Sequence, residues 1–116
     1  DMAFPVIQIV SSTGKYDYYS KYAPGVAKHL CPAPISPELT KKMQNLALDV
    51  FHLCHCSGIS RVDIMTDKEG NPFVLEINTV PGMTATSLVP DAARAAGIEF
   101  PDLCERILKE ASVGKF

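Results

Sequence analysis

A chain of 116 residues, 47% apolar and 21% charged, holds one hydrophobic core and at most one domain. A net charge of −2 supplies no basic surface for nucleic acid, and no apolar run of 18 residues is present to span a membrane. The cysteines, Cys31, Cys54, Cys56 and Cys104, follow no disulfide-framework spacing, so reduced thiols are expected. The opening residues lack the basic and long apolar regions of a signal peptide. Entry straight into an apolar strand, without an initiator methionine, reads as a piece of a longer polypeptide.

Residues 3–11 read as a buried strand through Val6, Ile7, Ile9 and Val10, followed by a turn over 11–14. Residues 15–22 are rich in tyrosine and could begin a second strand with aromatic cross-strand packing, and 26–34 read as irregular. A helix is expected from Pro37 to about Cys56, with Ser36 as N-cap, Pro37 in the first turn and Ser57-Gly58 as its stop. Leu39, Met43, Leu46, Val50, Leu53 and Cys54 give it one apolar stripe. The cluster from His52 to Cys56 invites a zinc reading, but only His52 and Cys56 share a face and no second ligand pair lies at zinc-finger spacing. A buried Cys54 beside partly solvated histidines is the expectation there.

The stretch 58–88 is the most informative. Residues 61–64 and 75–78 both alternate polar with apolar, which is the period of a half-buried strand. Turn-forming residues fill 67–72. A turn centred on Glu69-Gly70 pairs Arg61 with Asn78 and Asp63 with Glu76 on one face. The other face then pairs Val62 with Ile77, Ile64 with Leu75 and Thr66 with Phe73 as core. Directly opposed Asp63 and Glu76 repel. Either a hard divalent cation relieves them, with Asn78 as a further oxygen ligand, or Arg61 neutralises them on a solvated face. Gly82, in the loop that follows, permits close backbone approach or a positive φ. Short helices are expected from Pro90 to Ala96, stopping at Gly97, and from Pro101 to about Ser112.

Arg61-Val62-Asp63, followed by Glu76-Ile77-Asn78-Thr79-Val80-Pro81-Gly82-Met83-Thr84, resembles the signature of the D-alanine–D-alanine ligase family of ATP-grasp enzymes. The tyrosine-rich run from Tyr16 to Tyr22, Cys31-Pro32-Ala33-Pro34 and Ser87-Leu88-Val89-Pro90 resemble further runs of that family, so the likeness covers nearly the whole chain. It implies that Asp63, Glu76 and Asn78 hold two Mg²⁺ ions, or Mn²⁺, bridging ATP phosphates. It implies that Arg61 and the Gly82 N–H stabilise developing negative charge, that Ser87 and Leu88 hold the carboxylate of the second D-alanine, and that Lys21 and Tyr22 close over the γ-phosphate. ATP and D-alanine are the implied partners, in a cytoplasmic, homodimeric enzyme of peptidoglycan precursor synthesis with no nucleic-acid or membrane partner.

Two positions depart from the family pattern. Lys15 stands where an aromatic residue usually meets adenine, and Tyr19 replaces a usual Glu. The family's N-terminal substrate domain and central ATP-covering subdomain have no counterpart in these 116 residues. The expectation is therefore an α+β fold, a mostly antiparallel sheet with helices on one face. It would be the C-terminal part of an ATP-grasp catalytic domain, inactive or nearly so by itself. A related ligase using D-lactate or D-serine is the nearest alternative. A non-catalytic module is disfavoured by the intact Arg61, Asp63, Glu76 and Asn78 set, and a cysteine-based zinc or redox module is the weakest option.

Overall fold

The computed structural model describes residues 2–11 and 27–113. The elements in order are β1 (Gln8–Ser11), β2 (Ala27–Leu30), α1 (Pro37–Leu53), β3 (Arg61–Thr66), β4 (Pro72–Asn78), α2 (Leu88–Ala95) and α3 (Phe100–Glu110). The class is α+β, as expected. Antiparallel pairing is divided between two two-stranded sheets, β1–β2 and β3–β4. β1 is shorter than the expected strand over 3–11, and part of the stretch read as irregular is β2, paired to it with Gln8 opposite Leu30.

The start of α1 follows its sequence signals. Ser36 accepts a hydrogen bond from the Leu39 N–H at 3.1 Å, Pro37 occupies the first turn and Glu38 suits the positive end of the helix. Its end comes earlier than expected. His55 takes the left-handed conformation, φ 54°, that Gly58 was expected to supply. The Cys56 N–H reaches the Phe51 carbonyl at 2.9 Å and the His55 N–H reaches that of His52 at 3.0 Å. This is a Schellman closure with histidine at the position glycine normally fills. It leaves Leu53 81% exposed and Cys54 exposed, so neither belongs to the apolar face of the helix and the buried Cys54 is corrected. Cys56 lies outside the helix, so the shared helical face that suggested a His52–Cys56 metal pair does not exist.

α1 packs on β3 and β4, but none of its residues is fully buried. Leu39, Met43, Ala47 and Phe51 instead line a cleft of about 930 Å³ with Phe4, Val62 and Ile64. The buried core sits between α2 and α3, where Val89, Ala93, Ile98 and Leu103 pack with Phe4, Ile59, Met83 and Ile107. α2 is closed by Gly97 at φ 85°, with the Ile98 N–H bonded to the Ala93 carbonyl at 2.8 Å. That closure turns Ile98 into the core. Met83 ties this core to the loop that leaves β4.

Candidate active site

The site is built on the β3–β4 hairpin. Its turn is residues 68–70, with Gly70 at φ 84°, and is held by the Asp67 carboxylate. That carboxylate accepts the Glu69 and Asn71 N–H groups, both at 2.9 Å, and the Asn71 side-chain amide at 3.0 Å. These bonds, those from Asn71 first, hold the Asp67 pKa below its ordinary value. The turn is centred on Glu69 alone, so the strands leave it one residue out of the expected register. Ile64 faces Val74, Met65 faces Phe73 and Thr66 faces Pro72, in place of the Ile64–Leu75 and Thr66–Phe73 pairs. A bulge between Asp63 and Ile64 then absorbs Leu75, which is 60% exposed. Beyond it the pairing is as expected: Asp63 faces Glu76, Val62 faces Ile77 and Arg61 faces Asn78. The bulge is thus the device that brings the two carboxylates opposite each other.

Arg61 grips Asp63 in a fork, Nε to Oδ1 at 2.7 Å and Nη2 to Oδ2 at 3.1 Å, and its Nη2 lies 3.9 Å from Glu76 Oε1. The repulsion between the acids is therefore relieved by Arg61, one of the two arrangements open from the sequence. The donor set still suits a hard divalent ion. Each carboxylate oxygen of Asp63 keeps a lone pair beyond the one it gives Arg61. Glu76 is half exposed, and Asn78 Oδ1 accepts only the Val80 N–H, at 3.0 Å, among its described contacts. Among the described residues no three His, Cys, Asp or Glu side chains are placed to hold a metal ion, so the amide oxygen of Asn78 is needed to complete such a set.

The chain leaves Asn78 and runs through buried Pro81 to the start of α2. Gly82 is not in the left-handed region, so its use is close approach: a Cβ there would stand 2.9 Å from the Ser87 hydroxyl. Ser87 occupies the N-cap position of α2, yet its side chain makes no cap bond to the helix. Its Oγ accepts the Thr84 N–H at 2.9 Å and lies 2.8 Å from Thr84 Oγ1. Leu88 is the first residue of α2. Lys21 and Tyr22, with Lys15 and Tyr19, lie outside the described residues.

Two further features were not foreseen from the sequence. One is the Thr84–Ser87 hydroxyl pair, whose i, i+3 spacing before a helix was the available signal. The other is Asp91, on α2, which joins three partners. Its carboxylate is 3.6 Å from His29 Nδ1 and 3.1 Å from Arg94 Nη1, and its carbonyl receives the Cys31 thiol at 3.9 Å. Only the Asp91–Arg94 pair was legible from helical spacing. Burial, and then the Asp91 charge, push the Cys31 thiol pKa up.

The model of the family described as "D-ala D-ala ligase C-terminus" matches residues 1–109. The D-alanine–D-alanine ligase of Pelotomaculum thermopropionicum is 54% identical over 110 residues, 95% of this chain and 35% of that protein. The ligase of Methylacidiphilum infernorum is 50% identical over 107 residues, 92% of this chain and 35% of that protein. Among solved structures, the D-alanine–D-alanine ligase of Bacillus anthracis complexed with ATP superposes with a TM-score of 0.74 at 31% identity, covering 92% of this chain and 33% of that one. The VanG D-Ala:D-Ser ligase of Enterococcus faecalis superposes at 0.77 with 32% identity, covering 91% and 31%. The chain spans about a third of the length of these relatives. It belongs to the family of D-alanine–D-alanine ligase C-terminal regions.

Proposed function

We propose that this chain is the C-terminal part of an ATP-grasp catalytic domain that joins two D-alanines through an acyl phosphate, for peptidoglycan precursor synthesis. The observation that carries the reading is the juxtaposition on one hairpin of facing Asp63 and Glu76, Arg61 between them, and a direct lead into the Gly82–Ser87 contact. Asp63, Glu76 and Asn78 would hold Mg²⁺ or Mn²⁺, two ions in all. The metal would supply charge neutralisation at the ATP phosphates. Arg61 already bridges the two acids, so its charge lies where phosphate oxygens would gather. The Gly82 N–H and Arg61 would donate to the oxyanion formed when an amine attacks the acyl carbon. Ser87 and the start of α2 at Leu88 would hold the acceptor's carboxylate. Lys21 and Tyr22 would close over the γ-phosphate, a role resting on the resemblance alone.

The supply of ATP as co-substrate fits a cytoplasmic enzyme, and the family likeness extends that reading to a homodimer. The similarity to a D-Ala:D-Ser ligase keeps D-serine as a second acceptor to be assayed beside D-alanine and D-lactate. The test is a full-length ligase carrying this chain as its C-terminal part. D-alanine-dependent ADP formation with production of D-alanyl-D-alanine supports the reading. ATP binding without any ligation product would favour a non-catalytic module.

A further inference from the structure

We propose that Thr84 is a positioning residue that fixes the direction of the Ser87 hydroxyl. The inference rests on the reading of Ser87 as the holder of the acceptor's carboxylate. A serine hydroxyl has one hydrogen to give and two lone pairs. One lone pair of Ser87 Oγ takes the Thr84 N–H at 2.9 Å. The two hydroxyls then stand 2.8 Å apart, and one of them donates to the other.

A carboxylate has no hydrogen to offer, so its arrival selects one of the two arrangements. Thr84 donates to Ser87, both lone pairs of Ser87 are filled, and its hydrogen is left pointing at the anion. The alternative, in which Ser87 spends its hydrogen on Thr84, leaves the carboxylate facing lone pairs. Thr84 Oγ1 has another neighbour, Thr86 Oγ1 at 3.4 Å, but the shorter Ser87 contact is the stronger competitor. A donor chain of this kind also polarises the final O–H and strengthens its bond to a charge. Two further features isolate the pair. Ser87 gives no bond to its own helix, and Gly82 leaves the space its Oγ occupies.

Three variants of the full-length ligase carrying this chain test the inference. Ser87→Ala removes the bond to a charged group, and the acceptor KM should rise roughly 10- to 100-fold. Thr84→Val keeps the N–H and the branched shape but removes the donor, and the acceptor KM should rise about three- to tenfold. Thr84→Ser restores the hydroxyl and should lie within about twofold of the parent. The KM for ATP, kcat and the melting temperature should not move in either Thr84 variant. If Ser87→Ala raises the acceptor KM and Thr84→Val does not, the positioning role is overturned while the reading of Ser87 stands. If Thr84→Val lowers kcat and raises both KM values together, Thr84 shapes the whole loop and the inference also fails. If Ser87→Ala leaves the acceptor KM unchanged, the reading of Ser87 falls and takes the inference with it.

Discussion

Arg61 holds both oxygens of Asp63 and approaches Glu76, so each acid has a charge partner within the protein itself. Replacing either acid by its amide keeps its size. In Asp63→Asn, however, the new amide nitrogen can no longer accept from Arg61, so one arm of the fork is lost, whereas Glu76 is half exposed and outside the fork. Glu76→Gln should therefore leave the melting temperature of a full-length ligase nearly unchanged, while Asp63→Asn should cost about one hydrogen bond, about 1 kcal/mol. Both should abolish turnover. Calorimetry and a coupled ADP assay separate the two effects. Leu103, only 2% exposed, has the opposite profile. Leu103→Ala should cost about 2–5 kcal/mol of stability by denaturant titration, because it opens a void between α2 and α3. Cys31 offers a third residue-scale check. Burial and Asp91 disfavour its thiolate, so iodoacetamide should modify it more slowly than exposed Cys104 at neutral pH, read by mass spectrometry of peptides.

The elements show which signals a sequence carries. The Ser36 cap and the Gly97 stop were legible, because each depends on neighbours close in the chain, whereas the expected facing of Asp63 with Glu76 holds only because a bulge restores the register that the turn shifts. The end of α1 was not legible, since His55 adopts a conformation that the sequence would assign to glycine. His55→Gly should raise stability by about 0.5–1 kcal/mol, the relief of left-handed strain less the extra freedom of glycine when unfolded. The bulge at Leu75 was also hidden. It compensates a turn centred on Glu69, and neither is visible in the alternation of the strands alone. The turn carries a pH dependence. The Asp67 carboxylate has a lowered pKa in the fold, so its contribution is full above the ordinary value near 3.9 and is lost as pH falls through the lower folded value. Hairpin chemical shifts followed from pH 6 to pH 2 should titrate below that ordinary value, and Asp67→Asn should flatten the transition.

At the scale of the molecule, the buried core among the described residues lies in α2, α3 and their contacts, while Met65, Phe73 and Leu75 of the hairpin are each more than half exposed at 59%, 54% and 60%. The amphipathic face of α1 lines an apolar cleft rather than a closed interior. The helical stripe and the hairpin alternation were readable as core-facing patterns; what covers them was not, since the chain spans about 35% of its relatives' length. No helix among the described residues is long and apolar enough to cross a membrane. By itself the 116-residue chain should release no D-alanine-dependent phosphate from ATP at ligase rates, for want of the parts that the relatives supply over their remaining length. The central proposal is that the Asp63–Glu76 hairpin carries the phosphoryl-transfer charge of a D-alanine ligase. It is tested most directly by the rate of D-alanyl-D-alanine formation in a full-length ligase carrying this chain, parent against Asp63→Asn. Charge stabilisation by a bound metal is worth several kcal/mol, and about 1.4 kcal/mol is tenfold in rate, so the expected loss is at least about 100-fold at saturating ATP and D-alanine. A variant that keeps near-normal turnover would contradict the assignment.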